Sequence, residues 1–219
     1  VRDSVGSRHA KFVMQGLGGT INEESDYIYD IYENEHYNVA LRIKPQNYPY
    51  SDGTSTPDYD IELYAVTTNF GEIEKEILLS TSVSNAIGVD LMNASKRIYV
   101  GAHVENFTGS NVLQQTDLQF GGVRAWLDYL DNGEILNHNK DVLNYGQRSS
   151  IDGSNLYIMN DVQIPTQDLT ILNWDFDTVT STDSVGEFEV EDITGGSINS
   201  IYGWIDDIIR REHKAKGSN

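Results

Sequence analysis

The sequence predicts an all-β protein: an antiparallel jelly-roll β-sandwich with a short helix, an acidic β-rich extension and a C-terminal amphipathic helix. Three observations predict it. Short segments alternate apolar and polar residues, the period of a half-covered strand. Clusters of Gly, Pro, Asn, Asp and Ser punctuate these segments at short intervals, as in sandwiches and barrels. Helical periodicity is confined to a brief internal segment and the tail, so a βαβ architecture is disfavoured.

Residues 11–14 form a brief candidate strand. Tyr27, Tyr29 and Ile31 alternate with their neighbours in the manner of a half-buried strand. Residues 36–44 place Tyr37, Val39, Leu41 and Ile43 on one face and Asn38, Arg42 and Lys44 on the other; Ala40 alone breaks the alternation, and Pro45 ends it. Residues 45–58 (PQNYPYSDGTSTPD) read as a loop. Residues 59–66 alternate again, with Tyr59, Ile61, Leu63 and Ala65 opposite Asp60, Glu62 and Tyr64. Strands at 76–80 and 97–104 continue the series. The expectation is that two antiparallel layers clamp the apolar sides of segments 37–43, 61–65 and 98–126 between them.

Asp131-Asn132-Gly133-Glu134 predicts a helix start, with a capping-type residue followed by a carboxylate in the first turn, ending near Lys140. Beyond it, residues 149–209 hold many carboxylates and no Lys or Arg, with strand-like stretches at 156–159, 169–176 and 186–190. A boundary near 146–150 divides the chain into a sandwich domain, 1–147, and an acidic β-rich extension, 148–219. In the tail, Ile201, Trp204, Ile205, Ile208 and Ile209 form one apolar helical stripe, with Asp206 and Asp207 early and Arg210, Arg211 and Lys214 late. That stripe suits packing on the chain's own sandwich or joining to a neighbour.

A formal charge of −19 repels nucleic-acid phosphate and anionic lipid, so neither is an expected partner. With no cysteine, disulfides, thiolate metal sites and cysteine nucleophiles are excluded. No apolar run reaches the roughly 20 residues a spanning helix needs. The opening Val1-Arg2-Asp3 carries neither a starting Met nor a signal-peptide pattern, and the chain reads as a piece of something longer.

Several segments, in order and spacing, resemble the concanavalin A-like lectin/laminin G-like domains. They are residues 97–103 (RIYVGAH), 106–110 (NFTGS), 122–130 (GVRAWLDYL) and Glu134-Ile135. Upstream, residues 36–43 look like the family's aromatic-led "VA" strand and residues 59–66 like its "LYV" strand; Thr67-Thr68-Asn69 follows where the family has Asp-Gly. The resemblance covers roughly residues 10–146. It implies a jelly roll, and it implies a Ca²⁺ site of the kind many relatives carry at a sandwich rim. Residues 172–176 (LNWDF), 186–188, 202–204, His213 and Lys216-Gly217 look similar to a segment that follows lectin-like domains in very long virion structural proteins of tailed bacteriophages. That likeness implies a virion or otherwise extracellular location, with other virion or surface-protein subunits as partners.

Candidate chemistry is sparse. Strand alternation would put Glu187, Glu189 and Glu191 on one face. The concanavalin-like glycoside hydrolases use such a row as nucleophile and acid/base about 5 Å apart. A charged strand edge that blocks aggregation explains the same row, and no residue is assigned a catalytic role. Asp175, Asp177 and Asp183 are the candidate Ca²⁺ ligands, with Asp52, Asp58 and Asp60 a second acidic group; neither set follows an EF-hand loop. Tyr48, Tyr50 and Asp52, in the Pro-rich loop, are the candidate glycan contacts, since tyrosine rings stack on sugar C–H faces. The five histidines show no paired metal-ligand spacing. Together these readings describe a non-catalytic structural or adhesion module contacting host glycans. The alternatives are a Ca²⁺-dependent carbohydrate-binding lectin module and a glycoside hydrolase.

Overall fold

A computed structural model describes residues 1–49 except 2, 5, 6, 33 and 34, together with 56–95, 102–104, 112–115, 120–141, 170–176 and 191–192. These residues are mostly strands in antiparallel sheets, with two α-helices. Two compact units divide the chain: Val1–Asn93 with Asp128–Asp168, and Ala94–Leu127 with Leu169–Asn219.

The first unit is built on a three-stranded antiparallel sheet of β3 (Asn38–Pro45), β4 (Tyr59–Asn69) and β5 (Glu72–Val83), in the order β3-β4-β5. β4 and β5 form a hairpin whose turn residues, Phe70 and Gly71, both have positive φ, as the tight turns that match strand twist require. Register sets which residues share a face. Val39, Ala65 and Ile77 lie in one row, Leu41, Leu63 and Leu79 in the next, then Ile43, Ile61 and Thr81, and finally Pro45, Tyr59 and Val83. This apolar face meets a short hairpin, β1 (Val13–Gly16) with β2 (Ile21–Glu24), through Met14 and Ile21. It also meets α1 (Asn85–Asn93) through Ile87 and Leu91.

The α1 helix was not expected from the sequence, because residues 85–93 show no sustained apolar stripe. Its first amide is satisfied from outside, where Asn85 N–H donates to Asp58 Oδ1 at 3.0 Å. It approaches β4 closely at Gly88: a Cβ there would lie 2.2 Å from Tyr59 Cδ2. Only glycine allows that approach.

The opposite face of the sheet carries Asn38, Arg42 and Lys44 on β3 and Asp60, Glu62 and Tyr64 on β4. α2 (Asn132–Lys140) lies over it, burying Ile135, His138 and Asn139. The helix start expected at Asp131 is present as a full capping box. Asp131 Oδ1 accepts from Glu134 N–H at 2.8 Å and Glu134 Oε2 accepts from Asp131 N–H at 2.7 Å. Such a cap is worth about 1 kcal/mol.

Two strand expectations are corrected in phase. Val39 and Leu41, expected to be clamped in the core, are 48% and 73% exposed, while Arg42 on the opposite face is 6% exposed. The apolar cluster with β1, β2 and α1 takes in Leu63, Leu79 and Ile77 on β4 and β5 but, on the edge strand β3, only Ile43, so Val39 and Leu41 in the same rows stay outside it. Likewise Tyr27 and Tyr29, expected to be half-buried, point outward, and the segment makes one antiparallel bridge between Ala10 and Ile28. Ile28 takes the inward position, and an isolated bridge cannot bury both sides.

In the second unit, β8 (Gly122–Trp126), β9 (Thr170–Asp175) and β10 (Glu191–Asp192) form an antiparallel sheet with β9 in the middle. β6 (Ala102–Val104) pairs with β7 (Val112–Gln115). Leu172, Asn173 and Trp174 are buried in succession, so both faces of β9 are covered. Asn173, directly opposite Arg124, accepts from its Nε at 3.0 Å. The strand expected at 169–176 is β9; those expected at 156–159 and 186–190, and the tail helix, lie outside the described residues.

Candidate functional site

β3 and β4 bring their polar row together under the segment that leads into α2. Arg42 and Glu62 stand directly opposite in register. Arg42 Nη2 pairs with Glu62 Oε2 at 2.7 Å, and both side chains are nearly buried. Arg42 Nη1 also donates to the carbonyl oxygen of Leu130 at 3.0 Å and to Asn132 Oδ1 at 2.8 Å. Its guanidinium lies between two rings, 5.1 Å from the Tyr64 centroid and 4.9 Å from that of Tyr129. A buried charge that is paired, hydrogen-bonded and stacked in this way meets its desolvation cost.

Tyr129 ties the row to the exterior. Its hydroxyl donates to Glu62 Oε2 at 2.7 Å, and Lys44 Nζ donates to Tyr129 Oη at 3.3 Å while lying 4.4 Å from its ring centroid. Burial, and then the hydrogen bond to Glu62, raise the Tyr129 phenol above its ordinary pKa. The ring therefore stays a neutral donor across the physiological range.

Outside Tyr129 sits Tyr48, the one candidate glycan contact among the described residues. Its ring lies 5.6 Å from that of Tyr129 at 53° and is 40% exposed. Its hydroxyl donates to Asp128 Oδ1 at 3.0 Å, and the same oxygen accepts from Tyr129 N–H at 2.8 Å. A half-exposed ring is thus held at both ends, over a second ring and by a carboxylate. The charged rim around it includes Lys44, two register pairs along from Arg42 and Glu62, and its register partner Asp60. This arrangement offers what sugars use: an aromatic face for C–H groups and fixed polar atoms for hydroxyls.

Tyr50 and Asp52, the other two glycan candidates, lie outside the described residues. So do Asp177 and Asp183; Asp175 is on β9, opposite Gly122 and Glu191 in the register. Among the described residues no group of three or more His, Asp or Glu side chains is placed to hold a metal ion. Of the second acidic group, Asp58 caps α1, and Asp60 Oδ1 accepts from Gln46 Nε2 at 2.9 Å and from Ser82 Oγ at 2.8 Å. In the row Glu187, Glu189, Glu191, only Glu191 is described, as part of β10. Asp128 and Tyr129 were not singled out in the sequence. Arg42 and Glu62 were assigned only to the polar faces of their strands; their pairing depends on register, which spans a loop.

No family model, no curated protein and no solved structure matches this chain. Among the described residues, no helix is long and apolar enough to cross a membrane.

Proposed function

We propose that the chain is a non-catalytic binding module of a larger extracellular or phage virion protein, and that it contacts host glycans through the Tyr48 rim. The observation that carries this reading is the half-exposed Tyr48 ring, fixed by Tyr129 beneath it and by Asp128 at its hydroxyl. A pre-set ring loses little conformational freedom on binding. The finer fold assignment, a lectin-like jelly roll, belongs to the same proposal; it is supported by antiparallel sheets in both units and by the capped helix after the 122–130 segment.

The test is a glycan-array screen of the intact chain and of Tyr48→Ala, each with calcium and with a chelator. The expected result is binding by the parent, reduced about tenfold in the variant, since ring stacking contributes about 0.5–1.5 kcal/mol beyond area. Binding that vanishes with the chelator would move the assignment to a calcium-dependent lectin. A flat array for the parent would end the glycan reading and leave an architectural role.

A further inference from the structure

We infer a second sugar-contact surface, a tyrosine ladder formed by Tyr27 and Tyr29 that takes an uncharged polysaccharide chain; it rests on the reading of this chain as glycan-contacting. Ala10 and Ile28 exchange both backbone hydrogen bonds, Ala10 N–H to Ile28 O at 3.2 Å and Ile28 N–H to Ala10 O at 2.7 Å. Residues flanking such a pair point to the other side. His9 then stands across from Tyr29, and Lys11 across from Tyr27. The contacts agree: the His9 and Tyr29 rings meet edge-on with centroids 4.5 Å apart, and Lys11 Nζ lies 5.7 Å from the Tyr27 centroid.

Ala10 is buried beneath this rung, whereas Tyr27 is 43% and Tyr29 67% exposed. Each ring is therefore braced from one side by a cross-strand neighbour and open on another. Two positions apart along an extended strand is about 6.6 Å, so a ligand that covers both rings is longer than one sugar. A chain of pyranose rings meets that requirement with C–H faces for the rings and hydroxyls for the margin.

Charge decides which chain. The described side-chain cations beside the ladder are paired with carboxylates: Arg8 Nε with Asp30 Oδ1 at 3.1 Å, Lys11 with Glu24, and Lys75, whose Nζ donates to the Tyr29 carbonyl at 3.4 Å, with Glu35; the Val1 ammonium donates to the Lys11 carbonyl. The protein as a whole carries −19. Against that net charge a uronate- or sulfate-bearing polymer would be repelled, since carboxylates already hold the described side-chain cations here. A neutral polymer meets ion pairs whose outer atoms offer hydrogen bonds to hydroxyls.

Affinity electrophoresis of the intact chain tests this, with gels containing dextran, yeast mannan or soluble β-glucan and, separately, heparin. The expected result is retardation by at least one neutral polymer and none by heparin. The Tyr27→Ala/Tyr29→Ala double variant should lose about tenfold in affinity, and Tyr29→Phe should keep it, because stacking needs the ring and not the hydroxyl. Tyr29→Ser alone serves as the probe if the double variant melts earlier than the parent. Undiminished retardation of the folded alanine or serine variant overturns the inference, as do preference for heparin and indifference of the parent to every neutral polymer. Tyr48→Ala run in the same gels separates the two claims. Loss there with no loss in the ladder variants removes the ladder and leaves the Tyr48 reading standing. The reverse result removes Tyr48 and leaves the ladder.

Discussion

Replacing Arg42 with methionine keeps the length and the apolar stem of the side chain but strips the charge from under Tyr129. Glu62 then remains as a nearly buried carboxylate whose nearest cation is Lys44 Nζ, at 3.5 Å from Oε1, with the Tyr129 hydroxyl on Oε2. Removing one member of a buried ion pair costs about 3–5 kcal/mol, chiefly because the survivor is left without compensation. The acceptors on Leu130 and Asn132 lose their donor too, which adds to the cost. Two features lower it. Lys44 partly neutralises Glu62, and Arg42 Nε has no acceptor among the described residues, so one dissatisfied buried donor disappears. The expected loss is therefore near the lower end, about 3 kcal/mol. With a urea slope of about 2 kcal/mol/M, the midpoint falls by about 1.5 M. Far-ultraviolet circular dichroism is the appropriate readout, because the described tryptophans, Trp126 and Trp174, belong to the second unit and would report on the wrong one. Arg42→Met/Glu62→Leu should be more stable than Arg42→Met alone, since no stranded carboxylate remains. A midpoint change below about 0.5 M for the single variant would show that the Arg42–Glu62 pair does not hold β3 to β4.

Two further outcomes follow from the packing of the first unit. Gly88→Ala should destabilise by about 1–3 kcal/mol despite alanine's better helix propensity, because the new methyl meets the base of the Tyr59 ring and α1 must move off β4; a variant as stable as the parent in the same urea titration would refute that close approach. Three raised tyrosines, Tyr37, Tyr64 and Tyr129, contribute to the pH dependence in alkali; the Tyr64 phenol is held well above the usual tyrosine range, first by burial and then by its bond to Glu76 at 2.7 Å. The folded state holds that proton more tightly than the unfolded chain, whose tyrosines titrate near pH 10. Its contribution is therefore complete below that value and is lost as pH rises from about 10 towards the higher folded value. The urea midpoint should fall over that window, and Tyr64→Phe should make the fall shallower, with Tyr37 and Tyr129 supplying the rest; identical slopes for parent and variant would contradict it.

Strand formation and helix capping were legible because they are local. Alternation in 36–44 and 59–66 marks β3 and β4, and Asp131 with Glu134 marks the start of α2 whatever lies around it. Which side of a strand is covered is not local. Val39 and Leu41 have the composition of a core face, yet they stand beyond the reach of Met14, Ile21 and α1. Arg42 has the composition of a surface residue, yet Glu62 across the register, Tyr129 above and the Leu130 carbonyl make its burial tolerable. Tyr27 and Tyr29 alternate as a buried pair would, but one antiparallel bridge gives them only one side to hide, and Ile28 occupies it. The candidate site divides along the same line.

Tyr48 could be picked from its Pro-rich loop, because a ring among turn residues is commonly near the surface. Its partners, Asp128 and Tyr129, lie some eighty positions away along the chain and come to it only when α2 settles on β3 and β4. The sequence by itself determined where the chain extends, where it turns, where α2 begins and how acidic the molecule is, since each depends on neighbours along the chain or on a plain sum of charges. Tertiary structure alone decided which faces are covered, which charges are paired and which rings stand open, since cover, pairing and exposure depend on groups that meet only after folding.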